Sequence, residues 1–120
     1  MSYWYVATPV TKYPHGHEAA YVLACQETAR FAAARISVMS PIIQGWGLYK
    51  FGGLPAVDAE MWRRVNRPLM EVAKGCLVVM ADGWDISEGV AEEIAYFRSV
   101  NKQVRYVAVG AVPTGLGEGK

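Results

Sequence analysis

The stretch Asp82-Gly-Trp-Asp-Ile-Ser-Glu-Gly-Val-Ala-Glu-Glu93 is the chemically most informative part of this chain. It joins the apolar run Cys76-Leu-Val-Val-Met-Ala81 to a segment whose apolar residues, Val90, Ile94 and Phe97, recur at helical spacing. A helix that starts here offers free backbone N–H groups and a partial positive charge, which together hold an anion. Gly89 and Glu93 are four residues apart and share one helical face. With no side chain at Gly89, a ligand held at the helix start is within reach of the Glu93 carboxylate. Each residue also has an ordinary structural role. A glutamate on a surface helix is usually a solvated charge. Gly89 suits close packing, and Asp85 or Ser87 suits the N-cap, Asp85 with Glu88 forming a capping box.

Other residues carry weaker chemistry. His15 and His17 flank a glycine but have no third ligand nearby, so a solvated loop is the simpler reading and no metal is expected. Cys25 and Cys76 lie in separate apolar segments and read as buried, reduced thiols. Arg63, Arg64 and Arg67 stand near Glu60 and Glu71, which fits ion pairs, plain solvation or contact with a phosphate. Trp46, Tyr49 and Phe51 offer flat faces to a heterocyclic base, or cover for a second subunit. Trp84 either walls a pocket at the turn or simply packs.

These groups need a scaffold, and hydrophobic periodicity supplies one. Tyr3 to Ala7 reads as a strand ended by Thr8-Pro9, and residues 10–17 as a loop. Glu18 to Ala34 reads as a helix, and Ile36 to Ser40 as a short strand stopped by Pro41. Ile42 to Val57 holds several glycines and reads as a long irregular loop. Asp58 caps a helix running to Ala73, which Pro68 kinks or splits near Asn66. Cys76 to Met80 is a buried strand, Ser87 to Val100 a helix, and Val104 to Val109 the last strand. Residues 1–110 form a single α/β domain, and 111–120 a flexible Gly-rich tail. This alternation predicts a Rossmann-like or flavodoxin-like three-layer sandwich, with a parallel sheet of four to five strands. Ligands bind such sheets beyond the carboxyl ends of the strands, here Thr8 to Tyr13, Ser40 to Gly53 and Ala81 to Ser87.

Composition narrows the function classes. A chain of 120 residues, 52% hydrophobic and 19% charged, is one globular domain. Twelve basic against 11 acidic side chains give a net charge of +1, with no basic stripe for a nucleic-acid backbone. The apolar runs are of strand length, so no membrane partner is expected. The N-terminus lacks the pattern of a signal peptide, so a cytoplasmic location is expected. Four Trp, seven Tyr and three Phe exceed what a modest core obviously needs.

Ser87-x-Gly89-x-x-x-Glu93, placed after a buried strand, resembles the nucleoside 2-deoxyribosyltransferase superfamily and its relative, the deoxynucleoside 5′-monophosphate N-glycosidase. More closely, the chain is similar to a bacterial and phage family of uncharacterised domains assigned to that superfamily. The similarity runs through Tyr5-Val-Ala-Thr-Pro9, Ser40-Pro-Ile42, the Trp62 helix, Gly83-Trp-Asp-Ile-Ser-Glu-Gly-Val90 and Glu93-Ile94. The resemblance implies that Glu93 is the nucleophile, that Ser87 helps bind the 5′ end of a nucleoside or nucleotide, and that the chain assembles as a homo-oligomer. It calls for no cofactor. Where the closer family is expected to carry an Asp four residues after the Trp, this chain has Asn66. An amide holds a base by hydrogen bonds but is no carboxylic acid; Asp58 or Asp85 would have to substitute. A His expected after Ser-Pro-Ile is replaced by a region holding Gln44 and Trp46. The expected catalytic residues are therefore Glu93, Asn66 and Asp85, and the expected substrate-binding residues Thr8, Ser40, Ser87, Gly89, Trp84 and Trp46. A non-catalytic nucleotide-binding module and an oligomeric interaction protein are the alternative functions.

Overall fold

A computed structural model describes residues 2–116. Four strands, β1 (Trp4–Ala7), β2 (Val38–Met39), β3 (Gly75–Val79) and β4 (Gln103–Val107), form one sheet in the order β2-β1-β3-β4. All three pairings are parallel, with Tyr5 opposite Met39 on one side and Cys76 on the other. The helices are α1 (His17–Ala33), α2 (Pro41–Lys50), α3 (Ala59–Val72) and α4 (Glu88–Ser99). This is the expected three-layer α/β sandwich, at the lower of the two expected strand counts.

Residue alternation along the strands divides the core in two. Trp4, Val6, Leu77, Val79 and Val107 pack with Leu23 and Phe31 of α1. Tyr5, Ala7, Cys76 and Val78 point the other way, to Val90 and Phe97 of α4 and to Leu69 and Met70 of α3. Both sheet faces are therefore covered, which is why β3 reads as an unbroken apolar run. From β1 the chain moves outward to β2, and from β3 outward to β4. Strand order reverses between β1 and β3, where such sheets hold their ligands.

The segment expected as an irregular loop from Ile42 to Val57 is half helix. Ser40 caps α2, its hydroxyl accepting the Ile43 N–H at 3.3 Å, and Pro41 occupies the first helical turn. Gly45 and Gly47 disguise this helix in sequence because glycine is a poor helix former. Packing supplies what propensity lacks: Trp46 stacks on Tyr21 of α1 with ring centroids 5.0 Å apart, and Gly45 lies under the Trp62 ring of α3. Pro68 neither splits α3 nor ends it, since the helix continues to Val72. Pro68 is exposed, so the carbonyl it cannot serve faces water. Asp58 caps α3 as expected, accepting the Met61 N–H at 3.1 Å. The described part of the tail runs back over the sheet. The Arg105 guanidinium donates to the Thr114 carbonyl at 2.7 Å, and Leu116 packs on the α1-side core. Residues 117–120 of that tail lie outside the described residues.

Candidate functional site

α3 and α4 lie side by side over the Tyr5 face of the sheet and run in the same direction. Arg63 of α3 meets Glu92 of α4, and one turn later Arg67 lies over the Tyr96 ring. On α4, Glu93 sits between the sheet-facing stripe of Val90 and Phe97 and the α3-facing pair of Glu92 and Tyr96. This position follows from helical geometry alone. Its partner does not.

The Tyr5 hydroxyl, from the second residue of β1, donates to a Glu93 carboxylate oxygen at 2.5 Å. That is a short, charge-assisted bond. Burial pushes the Glu93 carboxyl up to about 7; the Tyr5 bond pulls it down, and the neighbouring Glu92 charge adds to the rise. Burial and the Glu93 charge both drive the Tyr5 phenol far above its ordinary range, so it remains a donor. Cys76, opposite Tyr5 in the register, is likewise pushed up by burial and by Glu93, and stays a thiol. A carboxyl that titrates near neutrality against a fixed phenol donor is equipped for nucleophilic or acid–base work.

The helix surface is left open at Gly89. A Cβ built there would meet nothing nearer than the Ser87 hydroxyl at 4.0 Å, so no packing demands glycine at this position. Gly83 is different. Its φ of 89° and the Lys12 backbone pressed against it both exclude a side chain, and this fixes the turn before α4 against the β1–α1 loop. Ser87, buried, is the N-cap of α4, its hydroxyl accepting the Val90 N–H at 3.2 Å. The Asp85–Glu88 capping box is thereby corrected: Asp85 sits in a 3₁₀ turn, Trp84–Ile86, and is exposed. The cap is Ser87, two residues nearer the helix than Asp85.

Asn66 falls on the arc of α3 that also carries Trp62, Leu69, Met70 and Ala73, and the last three pack over the Tyr5 face. It is the one amide among those apolar neighbours, half-buried, one turn before Met70. Thr8, just past the carboxyl end of β1, is 4% exposed, and its hydroxyl has no hydrogen-bond partner among the described residues. Ser40 is buried as the α2 cap. The ring contacts of Trp46 are to Tyr21, Tyr49 and the Lys50 ammonium, between α1 and α2. Trp84 leans on Tyr106 of β4, centroids 5.6 Å apart, and on the α4-side core. The fold thus brings Glu93, Gly89, Ser87 and Asn66 to one side of the sheet.

Tyr5 is the site residue that sequence reasoning left out. Its signal was present: it alternates with Trp4 and Val6 and shares its face with Ala7, on the strand next to the reversal point. Arg63 also took an unforeseen partner. Arg64–Glu60 and Arg67–Glu71 are the expected pairs within α3, at 3.4 and 3.7 Å, whereas Arg63 crosses to α4. His15 is exposed and 3.8 Å from Asp82; among the described residues no three His, Cys, Asp or Glu side chains gather as a metal site. Both cysteines are free. A surface groove of about 490 Å³ lies elsewhere, against α1, lined by Tyr13, His15, Glu18, Val22 and Gln26. His15 and Glu18 are exposed there, and neither Tyr5 nor Glu93 lines it. No described helix is long and apolar enough to cross a membrane.

No curated protein and no solved structure matches the chain. A family described as a domain of unknown function, DUF1937, matches residues 2–109, from the strand that supplies Tyr5 through β4. The chain belongs to the DUF1937 family.

Proposed function

We propose that this protein binds a nucleoside or nucleotide and cleaves or transfers its N-glycosidic bond through Glu93. The observation that carries this reading is the Tyr5–Glu93 pair, a carboxyl raised to about 7 and held by a phenol donor behind the open position at Gly89. The ionised carboxylate attacks the anomeric carbon of the sugar, and the base departs with the electrons of the broken C–N bond. Water or a second acceptor then displaces Glu93 from the glycosyl-enzyme. Tyr5 keeps the carboxylate aimed during both steps. Asn66 holds the base edge with its amide, and Ser87 and the α4 start hold the 5′ end. Thr8, with its unpaired hydroxyl, is a further ligand contact. The likeness of Ser87-x-Gly89-x-x-x-Glu93 to the nucleoside 2-deoxyribosyltransferase superfamily supports the substrate class. No cofactor is needed for this chemistry.

Asn66 favours a second reading, a nucleotide-binding module without turnover, because an amide supplies no proton to a departing base. A homo-oligomer accords with either reading, since Phe51, at the end of α2, and Ile86, in the turn before α4, are 86% and 64% exposed. The test is incubation with a panel of deoxynucleosides and their monophosphates, with chromatography for released base. Release that is lost in Glu93→Ala supports the enzyme. Release that survives Glu93→Ala overturns the nucleophile, and saturable binding without release selects the module.

A further inference from the structure

The contact between α3 and α4 is made by charge one residue away from Glu93. Arg63 Nε and Nη2 each lie 2.9 Å from a different Glu92 carboxylate oxygen, a bidentate pair across the two helices. One turn along, the Arg67 guanidinium stands 4.6 Å from the Tyr96 ring centroid. Arg64 is turned to Glu60 within its own helix, so it does not share this duty. Glu92 is the chain neighbour of Glu93, and its charge opposes ionisation of Glu93. The Arg63 guanidinium in turn holds Glu92 below the usual carboxylate range.

We propose that Arg63 is a positioning residue of the Glu93 site: it fixes α3, and with it Asn66, against α4, and it compensates the Glu92 carboxylate beside Glu93. The groups that face Glu93 fit this role. Tyr5 from β1 and Cys76 from β3 are both held protonated and neutral, so neither adds charge beside Glu93. Glu92 comes from α4 itself, while Glu60 of α3 and Glu88 of α4 surround Arg63 and add further negative charge. Arg63 is therefore the cation that this acidic corner is built around. Its role as a helper of catalysis rests on the reading of Glu93 as nucleophile; its electrostatic role does not.

The test follows the Glu93 carboxyl by ¹³C NMR in the whole chain from about pH 4 to about pH 9, a window that spans the carboxyl titration and needs no substrate. In Arg63→Gln the Glu93 midpoint rises by about half a pH unit, because Glu92 is left uncompensated. Arg63→Lys restores most of the wild-type value, and Glu92→Gln moves the midpoint the opposite way. Raising the salt concentration shrinks the difference between Arg63→Gln and wild type. Opposite shifts in the two glutamine variants cannot come from loss of helix packing, which would affect both alike. Equal midpoints in all variants, with folded spectra, overturn the proposal. If the midpoints move as expected and no deoxynucleoside is turned over, the enzymatic reading falls and the positioning role stands.

Discussion

Glu27 on α1 is buried and Glu93 on α4 half-buried, one on each face of the sheet. Glu27 is 1% exposed, yet every need of its carboxylate is met. The Gly110 N–H donates to it at 3.0 Å, Arg30 lies at 3.5 Å, and Arg30 also donates to the Gly110 carbonyl at 3.2 Å. The triangle fastens the chain after β4 to α1. Glu93 has no cation of its own, only the Tyr5 phenol, with a like charge next door. An acid that is paired and bonded holds structure together; one left short of positive charge keeps a raised carboxyl. The two faces differ in the same way. The α1 side is closed by Trp4, Val6, Leu23, Phe31 and Leu77, whereas the α4 side sets Tyr5 and Cys76 beside the acid.

The largest effect expected from breaking this comparison is at the structural acid. Glu27→Ala removes the Gly110 bond and leaves Arg30 without its acid, destabilising the fold by about 4 kcal/mol in urea melts. A loss under about 1 kcal/mol would mean that the triangle is ornamental. Glu93→Gln should do the reverse. The Glu93 carboxyl titrates at about 7 in the fold against 4.5 unperturbed, so its neutral form favours folding. That stability is fully present below about pH 4.5 and is lost as pH rises through about 7. Glu93→Gln therefore stabilises the protein by about 3 kcal/mol at pH 8 and by almost nothing at pH 4, measured by denaturant melts at the two values. A pH-independent difference would contradict the raised carboxyl.

Tyr5→Phe isolates the donor. It should cost about 2 kcal/mol above pH 7, where Glu93 is ionised, and less at pH 5. The Glu93 midpoint should rise further in NMR titrations, and a fall would show that the bond is not made in solution. Gly89→Ala is the gentlest change. With open space at its Cβ position, it should alter stability by less than about 1 kcal/mol. Binding of a deoxynucleoside, followed calorimetrically, should nevertheless weaken at least about tenfold, the equivalent of a lost contact worth 1.4 kcal/mol. Unchanged binding would place the ligand elsewhere.

Much of this was legible in order. Alternating strand and helix periods dictated the parallel sheet, because apolar runs of strand length between amphipathic segments have few ways to pack. Asp58 and Ser87 announced two helix starts by local chemistry, and the four-residue step from Gly89 to Glu93 put both on one face. Helix α2 stayed hidden because its stability comes from Tyr21 and Trp62, distant in sequence, rather than from its own glycine-bearing residues. Glu27 stayed hidden because an i,i+3 pair with Arg30 looks like any solvated pair until Gly110 closes over it.

The sequence by itself determined the strands, every helix but α2, the direction of their faces and the place of Glu93 one turn after Gly89, since these depend on periods of two and 3.6 residues and on capping. The tertiary structure alone decided what that acid touches. Tyr5 reaches Glu93 across 88 positions of chain, and Arg63 reaches Glu92 across 29. Desolvation, the phenol bond and the neighbouring charge exist only once β1, α3 and α4 are packed, and it is their sum that brings Glu93 to about 7.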